Sequence, residues 1–380
     1  LLRLAWVYDL DACRNPTGVT RHALALRDQL RAQVDLRTVT GRFQTDEAQA
    51  DWAQLDPSQR LRLPLRLRDH LRAWRLVPWP PLEAWTGPID WAYSPAELAV
   101  PTRQAKRAVT SHDVLQNLQL GGTRARHRLA QTFRQAHLVL SVSRFNTAQL
   151  LDAFPFCHGK TAEVPNAADD LFFEPATDAE RAAVRADLGL PPGLPYLLSV
   201  AGFQPRKNLP RLIEAASRLP ELARGDLALA LVGDGSPAER ATLDAAIAAA
   251  GPKVRVARPG YRQGRALRAI YAEAAALVFP STCESFGIPV VEAMAQGIPV
   301  AIADNTALPE IAADAGWTFD PLQNEPITET LRALLDQPTE RHRRIALGRE
   351  RAQRYRWAHS AEQLRNALRT PTLITGSRSA

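Results

Sequence analysis

The chain is predicted to be an α/β protein of two Rossmann-like, doubly wound parallel-sheet domains that face across a cleft. Three features predict this class: two separate series of short apolar runs, helix-patterned stretches between the runs, and an acidic, proline-containing joint from Ala167 to Gly193. The first series is LRLAWVYD, VDLRTVTG, DWAYSP, RAVTSHD, LVLSVS and TAEVPN. Each run is short, is rich in β-branched or aromatic residues and ends in polar or turn residues, so each reads as a strand. Thr20 to Gln33 follows the first run with a helical apolar pattern. The second series is YLLSVAG, LALALVGDG, VRVARPG, ALVFPS, PVAIAD and GWTFDP, with helical stretches at Leu209 to Leu219 and Ala238 to Ala250. Parallel strands need long crossovers, usually helical, so this alternation points to parallel sheets. The boundaries are residues 1–168 for the first domain and 169–355 for the second. Residues 356–380 read as a helix or tail packing back on the first.

A chain of 380 residues has room for two or three domains, and its apolar fraction of 46% is that of an ordinary globular protein. Cys13, Cys157 and Cys283 are odd in number and lack metal-ligand or disulfide-framework spacing, which predicts a reducing, cytoplasmic setting. The opening LLRLAWVYDLD turns acidic too soon for a secretory signal, and no apolar run approaches a membrane span. Net charge is +7, with Lys106, Lys160, Lys207 and Lys253 the only lysines. The arginines are scattered over both halves without a nucleic-acid motif, so no nucleic-acid partner is predicted.

The most informative segment is ALVFPSTCESFGIPVVEAMAQGIPVAIAD, from Ala276 to Asp304. It reads as strand, polar loop, short helix and strand. Pro280 ends the first strand and places Glu284 just past its carboxyl end. Pro289 suits the first helical position, where a missing N–H needs no partner, and Gly297 stops the helix. In open α/β sheets ligands bind beyond the strand carboxyl ends, and the N–H groups from Gly287 to Val291 sit at a helix start that attracts phosphate. Glu284 and Glu292 are suited to accepting hydrogen bonds from hydroxyl groups, so the segment fits a ligand carrying both phosphate and sugar. The bland alternative is a dipole-complementing Glu292 and a solvated Glu284.

Glu284 and Glu292, with Ser-Phe-Gly-Ile-Pro-Val-Val between them, resemble the E-x7-E motif of retaining GT-B glycosyltransferases, specifically glycosyltransferase family 4 and its mannosyltransferase-like members. The likeness covers nearly the whole chain. LLSVAGFQPRKNLPRLIEA resembles the family's P-R-K-N loop, ALVGDGSPAERATL its V-G-x-G segment, and NPTGVTRHALAL its T-G-I-G-R-Y loop. VTSHDVLQ resembles V-x-H-D-L, LVLSVSRFNTAQLL a strand and helix opening with V-S-x-F, and AEVPNAADDLFF resembles I-P-N-G-V-D.

The resemblance implies GT-B architecture, an acceptor-side first domain and a donor-binding second domain. It implies transfer of a hexose, mannose from GDP-mannose being slightly preferred, from a nucleotide-diphospho-sugar to a polysaccharide or lipid-linked saccharide in cell-surface glycan synthesis. Arg206 and Lys207 would neutralise the leaving diphosphate. His112 would contact the transferred sugar, and Asp113 would shape the site. Glu284 would bind sugar hydroxyls and Glu292 the ribose. The donor set would also include Gly18, Tyr261, Ser285, Phe286, Gly287 and Ile288. Gly18 lies in the turn from Pro16 to Val19, where a missing Cβ permits close approach. The leaving phosphate would deprotonate the acceptor, so neither a protein nucleophile nor a metal is implied, and Asp9-Leu10-Asp11 matches D-x-D by coincidence. His112 and Asp113 could alternatively form a general base in an inverting enzyme.

Departures from the family pattern are Ala167 for the glycine of P-N-G, Thr20 for the second glycine of T-G-I-G, Ala201-Gly202 for G-T, Gln204 for glutamate and Cys283 before Glu284. None removes a charged donor-side residue. From Arg60 to Trp85, arginines at 60, 62, 66, 68, 72 and 75 interleave with leucines and tryptophans. This stretch predicts peripheral contact with an anionic membrane, at the inner face of the cell membrane, or reception of an acidic lipid-linked acceptor. An amphipathic helix with a solvated basic face is the competing reading, and Pro64 excludes one long interfacial helix. The rival functions are a sugar-nucleotide epimerase on the same fold and a non-enzymatic binder of anionic polymers.

Overall fold

The computed structural model describes residues 1–14 and 17–370, with Arg185 described by its backbone only. The chain divides into two units, Leu1–Ala167 together with the chain from Trp357, and Ala168–Arg356. The first unit holds strands β1 (Arg3–Val7), β2 (Asp35–Thr40), β3 (Arg60–Arg62), β4 (Trp91–Ser94), β5 (Lys106–Ser111), β6 (Leu138–Ser141) and β7 (Thr161–Glu163). They form one parallel sheet in the order β3-β2-β1-β4-β5-β6-β7. The second unit holds β8 (Tyr196–Val200), β9 (Ala228–Val232), β10 (Arg255–Gly260), β11 (Ala276–Phe279), β12 (Val300–Ala303) and β13 (Gly316–Phe319). These are also all parallel, in the order β10-β9-β8-β11-β12-β13.

The sequence pattern explains most of this. β9 reads ALALV and β11 reads ALVF, every residue buried, as strands covered on both faces require. The helices Asp178–Asp187 and Pro237–Ala250 each open on a capping box, Thr177 with Glu180 and Ser236 with Glu239. β3 is the strand the pattern misses. Its three residues, Arg-Leu-Arg, pair with β2 at the sheet edge and look like the start of a basic amphipathic helix. The stretch from 60 to 85 is therefore β3, a helix at Leu67–Leu76 and a short helix at Glu83–Thr86, not one amphipathic helix.

The last helix, Trp357–Arg369, buries Trp357, Ala361, Leu364 and Leu368 at helical spacing among Leu4, Leu26 and Leu30 of the first unit's core. Each buried leucine there contributes about 1.5–3 kcal/mol of apolar burial, which anchors the chain's return to the first unit.

Each sheet reverses its strand order once, between β1 and β4 in the first unit and between β8 and β11 in the second. The loops leaving adjacent strands diverge at such a point, so the carboxyl ends of those strands border a crevice.

Candidate active site

The reversal in the second unit gathers the charged residues that the motifs singled out. Beyond β8 the chain enters a single turn at Pro205–Lys207 and a left-handed Asn208, a residue that tolerates this conformation, before the helix Leu209–Ser217. Asn208 Nδ2 donates to the carbonyls of Pro280, at 3.2 Å, and Pro321, at 2.7 Å, tying this loop to the ends of β11 and β13. Arg206 Nη1 donates to Glu284 Oε1 and to the Cys283 carbonyl, both at 3.1 Å, and Lys207 Nζ donates to the same Glu284 oxygen. The Lys207 ammonium also lies 5.2 Å from the centroid of the Phe279 ring. Glu284 thus joins both cations, whereas the motifs gave it a separate task. Burial pushes its carboxyl up, but the charges of Lys207 and Arg206 outweigh that and hold it below the usual carboxylate range.

Thr306 supports the carboxylate's backbone. It adopts a left-handed φ of 56°, costly for a β-branched residue, and its Oγ1 accepts from the Glu284 N–H at 3.3 Å. Ser285, Phe286 and Ile288 follow as buried residues, the Phe286 ring standing edge-on to Tyr355 at 5.4 Å. Gly287 precedes the helix Ile288–Gln296 at φ 101°, and a Cβ there would lie 2.7 Å from Leu308 Cδ2, so only glycine fits. No side chain caps this helix start.

Glu292 differs from its expected setting. The helix begins at Ile288, so Glu292 falls in its second turn rather than at its start, and it is fully buried. The hydroxyl it accepts from is protein-borne, Tyr271 donating to Oε2 at 2.8 Å. Tyr261 lies after β10, separated from β8 by β9, and is exposed.

In the first unit, His112 follows β5 and is buried. Its Nε2 lies 2.8 Å from the Pro95 carbonyl, which can only accept, so Nε2 carries a proton. Asp113 precedes the helix Val114–Gln135 without capping it by its side chain, and no hydrogen bond joins it to His112. Gly18 is the first residue of the helix Gly18–Leu30, capped by Thr17, rather than a turn residue; Pro16 of that motif lies outside the described residues.

His22 was missed by the motif reading. It is fully buried, edge-on to His112 at 4.7 Å, with Nδ1 2.8 Å from Asn166 Oδ1 and Nε2 3.3 Å from the Tyr93 hydroxyl. Tyr93 in turn meets Thr110 Oγ1 at 2.6 Å. Burial, aided by His112, lowers the His22 pKa well below its ordinary value, so the ring is neutral. A histidine at the fifth residue of a helix reads as a side chain turned to solvent. Only its place on the inner face, four residues before Leu26, could have flagged it.

Asp11 Oδ1 accepts from the N–H groups of Gln44 and Thr45, a structural use of the D-x-D aspartate. Among the described residues no group of three or more His, Cys, Asp or Glu side chains is placed to hold a metal ion. Nor is any described helix long and apolar enough to cross a membrane.

Two parallel-sheet α/β units, with two cations and a carboxylate at one strand-order reversal, have the architecture of the GT-B fold. Residues 180–351 match the family described as Glycosyl transferases group 1. The chain is 27% identical over 307 residues to the O-antigen chain mannosyltransferase B of Escherichia coli, covering 79% of this chain and 80% of that one. Sucrose-phosphate synthase from Thermosynechococcus elongatus shares the fold with a TM-score of 0.78 at 20% identity, over 97% of this chain and 98% of that one. HepE of Anabaena, solved in complex with UDP-glucose, shares it with a TM-score of 0.77 at 16% identity, over 97% and 100%.

Proposed function

We propose that the protein is a retaining, metal-independent hexosyltransferase that moves a sugar from a nucleotide-diphospho-sugar to a saccharide or lipid-linked saccharide of the cell surface. Mannose from GDP-mannose is the favoured donor, in keeping with the mannosyltransferase relative. The observation that carries this reading is the cluster of Arg206, Lys207 and Glu284 at the reversal between β8 and β11.

In the reaction the bond from the anomeric carbon to the diphosphate oxygen breaks and one to the acceptor oxygen forms. The acceptor proton passes to the leaving phosphate. Arg206 and Lys207 meet the charge that grows on that phosphate, and such preorganised charge stabilises the transition state more than the ground state. A general acid needs a raised pKa, whereas that of Glu284 is lowered, and its electrons are engaged by two cations. That favours sugar-hydroxyl binding for Glu284 over acid or nucleophile. His112 offers Nδ1 to the sugar, with Asp113 beside it. Glu292 takes a ribose hydroxyl in place of Tyr271. The uncapped helix start at Gly287 and Ile288, with Ser285, Phe286 and Tyr261, completes the second unit's donor site, and Gly18 of the first unit is assigned to donor binding.

Calorimetry with GDP, UDP, ADP and their sugar conjugates, in the presence of a chelator, tests this reading. One conjugate is expected to bind selectively. Absence of binding to all of them would overturn the donor assignment, and binding only without chelator would overturn metal independence.

We also propose peripheral contact with the inner face of the cell membrane through the helix Leu67–Leu76. Leu76, Val77 and Trp79 are exposed at its end, and the side chains of Arg68 and Arg72 are 60% and 73% exposed. Apolar and aromatic groups beside arginines suit an anionic interface. Leu76→Ser/Trp79→Ser should lower sedimentation with phosphatidylglycerol vesicles, and a wild type that never binds them would refute the contact.

A further inference from the structure

A second crevice lies wholly within the first unit, at the carboxyl ends of β2 and β3. It is an open pocket of about 690 Å³ lined by residues 42–44, residues 62–66 and Asp69. Its charge is lopsided. Arg42, Arg62 and Arg66 face it, and among the described residues none of the three lies within ion-pair distance of a carboxylate, although the Arg66 charge is felt at Asp9; Asp69, the one acidic lining residue, is turned to Arg72 at 3.3 Å and Arg68 at 3.9 Å. Arg66 donates to the neutral Gln44 amide, and Arg62 lies over Phe43 at 5.6 Å. Elsewhere in this unit arginines find carboxylates, as Arg3 does with Asp90 and Arg27 with Asp51. Three guanidiniums held around one cavity repel one another, and an anion between them removes that cost.

The pocket is also closely built. Gly41 leaves β2 directly against the start of the helix Leu67–Leu76, where a Cβ would lie 2.0 Å from the Leu67 nitrogen and 2.5 Å from the Arg66 carbonyl carbon. The Arg42 N–H then donates to the Leu65 carbonyl at 2.9 Å, locking the two loops together. Only glycine permits this approach, which sets Arg42 beside Arg66. That helix start carries no side-chain cap, so its first N–H groups add positive potential. Phe43, Leu63, Pro64 and Leu65 supply an apolar wall.

We infer that this pocket binds a phosphate group carried by the acceptor, the guanidiniums gripping the phosphate oxygens while a sugar ring rests on the apolar wall. Planar forked donors match phosphate oxygens in pairs, and a pocket of this volume has room for a saccharide beside them. The inference rests on the transferase reading for the word acceptor, but the binding itself does not.

The test is calorimetry of the full chain with glucose 1-phosphate, comparing wild type with Arg42→Gln/Arg62→Gln and Arg42→Lys/Arg62→Lys, and with UDP and GDP titrated separately. Glucose 1-phosphate should bind the wild type, weaken about tenfold or more in the Gln variant, and weaken less in the Lys variant, which keeps charge but loses the fork. Nucleotide binding, which belongs to the second unit, should be unchanged in both. Equal glucose 1-phosphate affinity in all three proteins, or none in the wild type, overturns the pocket. Absence of nucleotide binding in the wild type with pocket binding present overturns the transferase reading instead. Vesicles identify the source of the phosphate. If phosphatidylglycerol vesicles compete with glucose 1-phosphate and lose affinity in the Gln variant, the group is lipid-borne. If they bind both proteins alike, it belongs to a soluble phosphosaccharide.

Discussion

Glu284→Gln removes the negative charge that two cations share. The Lys207 and Glu284 side chains are each 11% exposed and that of Arg206 27%. The cluster therefore lies nearer the buried regime, where breaking a pair costs roughly 3–5 kcal/mol, than the surface regime of about 0–1 kcal/mol. Glutamine keeps an oxygen that can accept from one cation, and Arg206 keeps the Cys283 carbonyl and some solvent. These reduce the expected loss to about 2–3 kcal/mol. Hydrogen exchange at the amides of β8 and β11 reads the stability of the second unit locally. A cycle with Lys207→Met should show a coupling of about 1–3 kcal/mol, because the double variant leaves neither of that pair's charges stranded. The acid limb is a second readout. A carboxyl held below its ordinary value contributes stability that is complete above the unfolded value of 4.5 and is lost as pH falls through the lower folded value. The Gln variant should lack that loss. A single-variant cost under about 0.5 kcal/mol, with additive effects in the cycle, would refute the cluster as drawn.

Arg206→Ala/Lys207→Ala should reduce turnover by orders of magnitude through lost stabilisation of the leaving phosphate, and near-normal kcat would sink the diphosphate assignment. Glu292→Gln should weaken nucleotide binding, and unchanged affinity in calorimetry would remove Glu292 from the ribose site. His22 is neutral and buried, so its contribution to stability is complete above about pH 6.5 and is lost as pH falls, by up to about 1.4 kcal/mol per pH unit. His22→Gln should flatten that slope in urea unfolding between pH 7 and 5, and parallel slopes would show that His22 does not titrate on unfolding.

The sheets were legible because each central strand is an uninterrupted apolar run and each crossover carries its own start signal, as at Ser236 with Glu239. β3 was not, because an edge strand of three residues is shaped by its neighbour β2 and leaves no periodicity of its own. The site was legible in its membership and not in its pairing. Arg206, Lys207 and Glu284 each stand beyond a strand end, which spacing shows. That one carboxylate would join both cations depends on β8 and β11 being neighbours, and two strands intervene between them in sequence.

The same reasoning separates the two basic features of the chain. At the β8–β11 reversal the cations come with a carboxylate that fixes their positions, so the positive charge is preorganised without being left unpaired. In the pocket beyond β2 and β3 the cations come with a backbone fixed by Gly41, and the one lining carboxylate, Asp69, is turned to Arg68 and Arg72 instead. A site that must release a diphosphate product benefits from an internal competitor for its cations. A site that only has to hold an anion does not. Phosphate should accordingly dissociate from the second unit's cluster more readily than from the first unit's pocket, and Glu284→Gln should narrow that difference by tightening GDP. Calorimetry of GDP and glucose 1-phosphate on that one variant compares the two directly, and a weaker GDP affinity in a folded Glu284→Gln protein would contradict competition at the cluster.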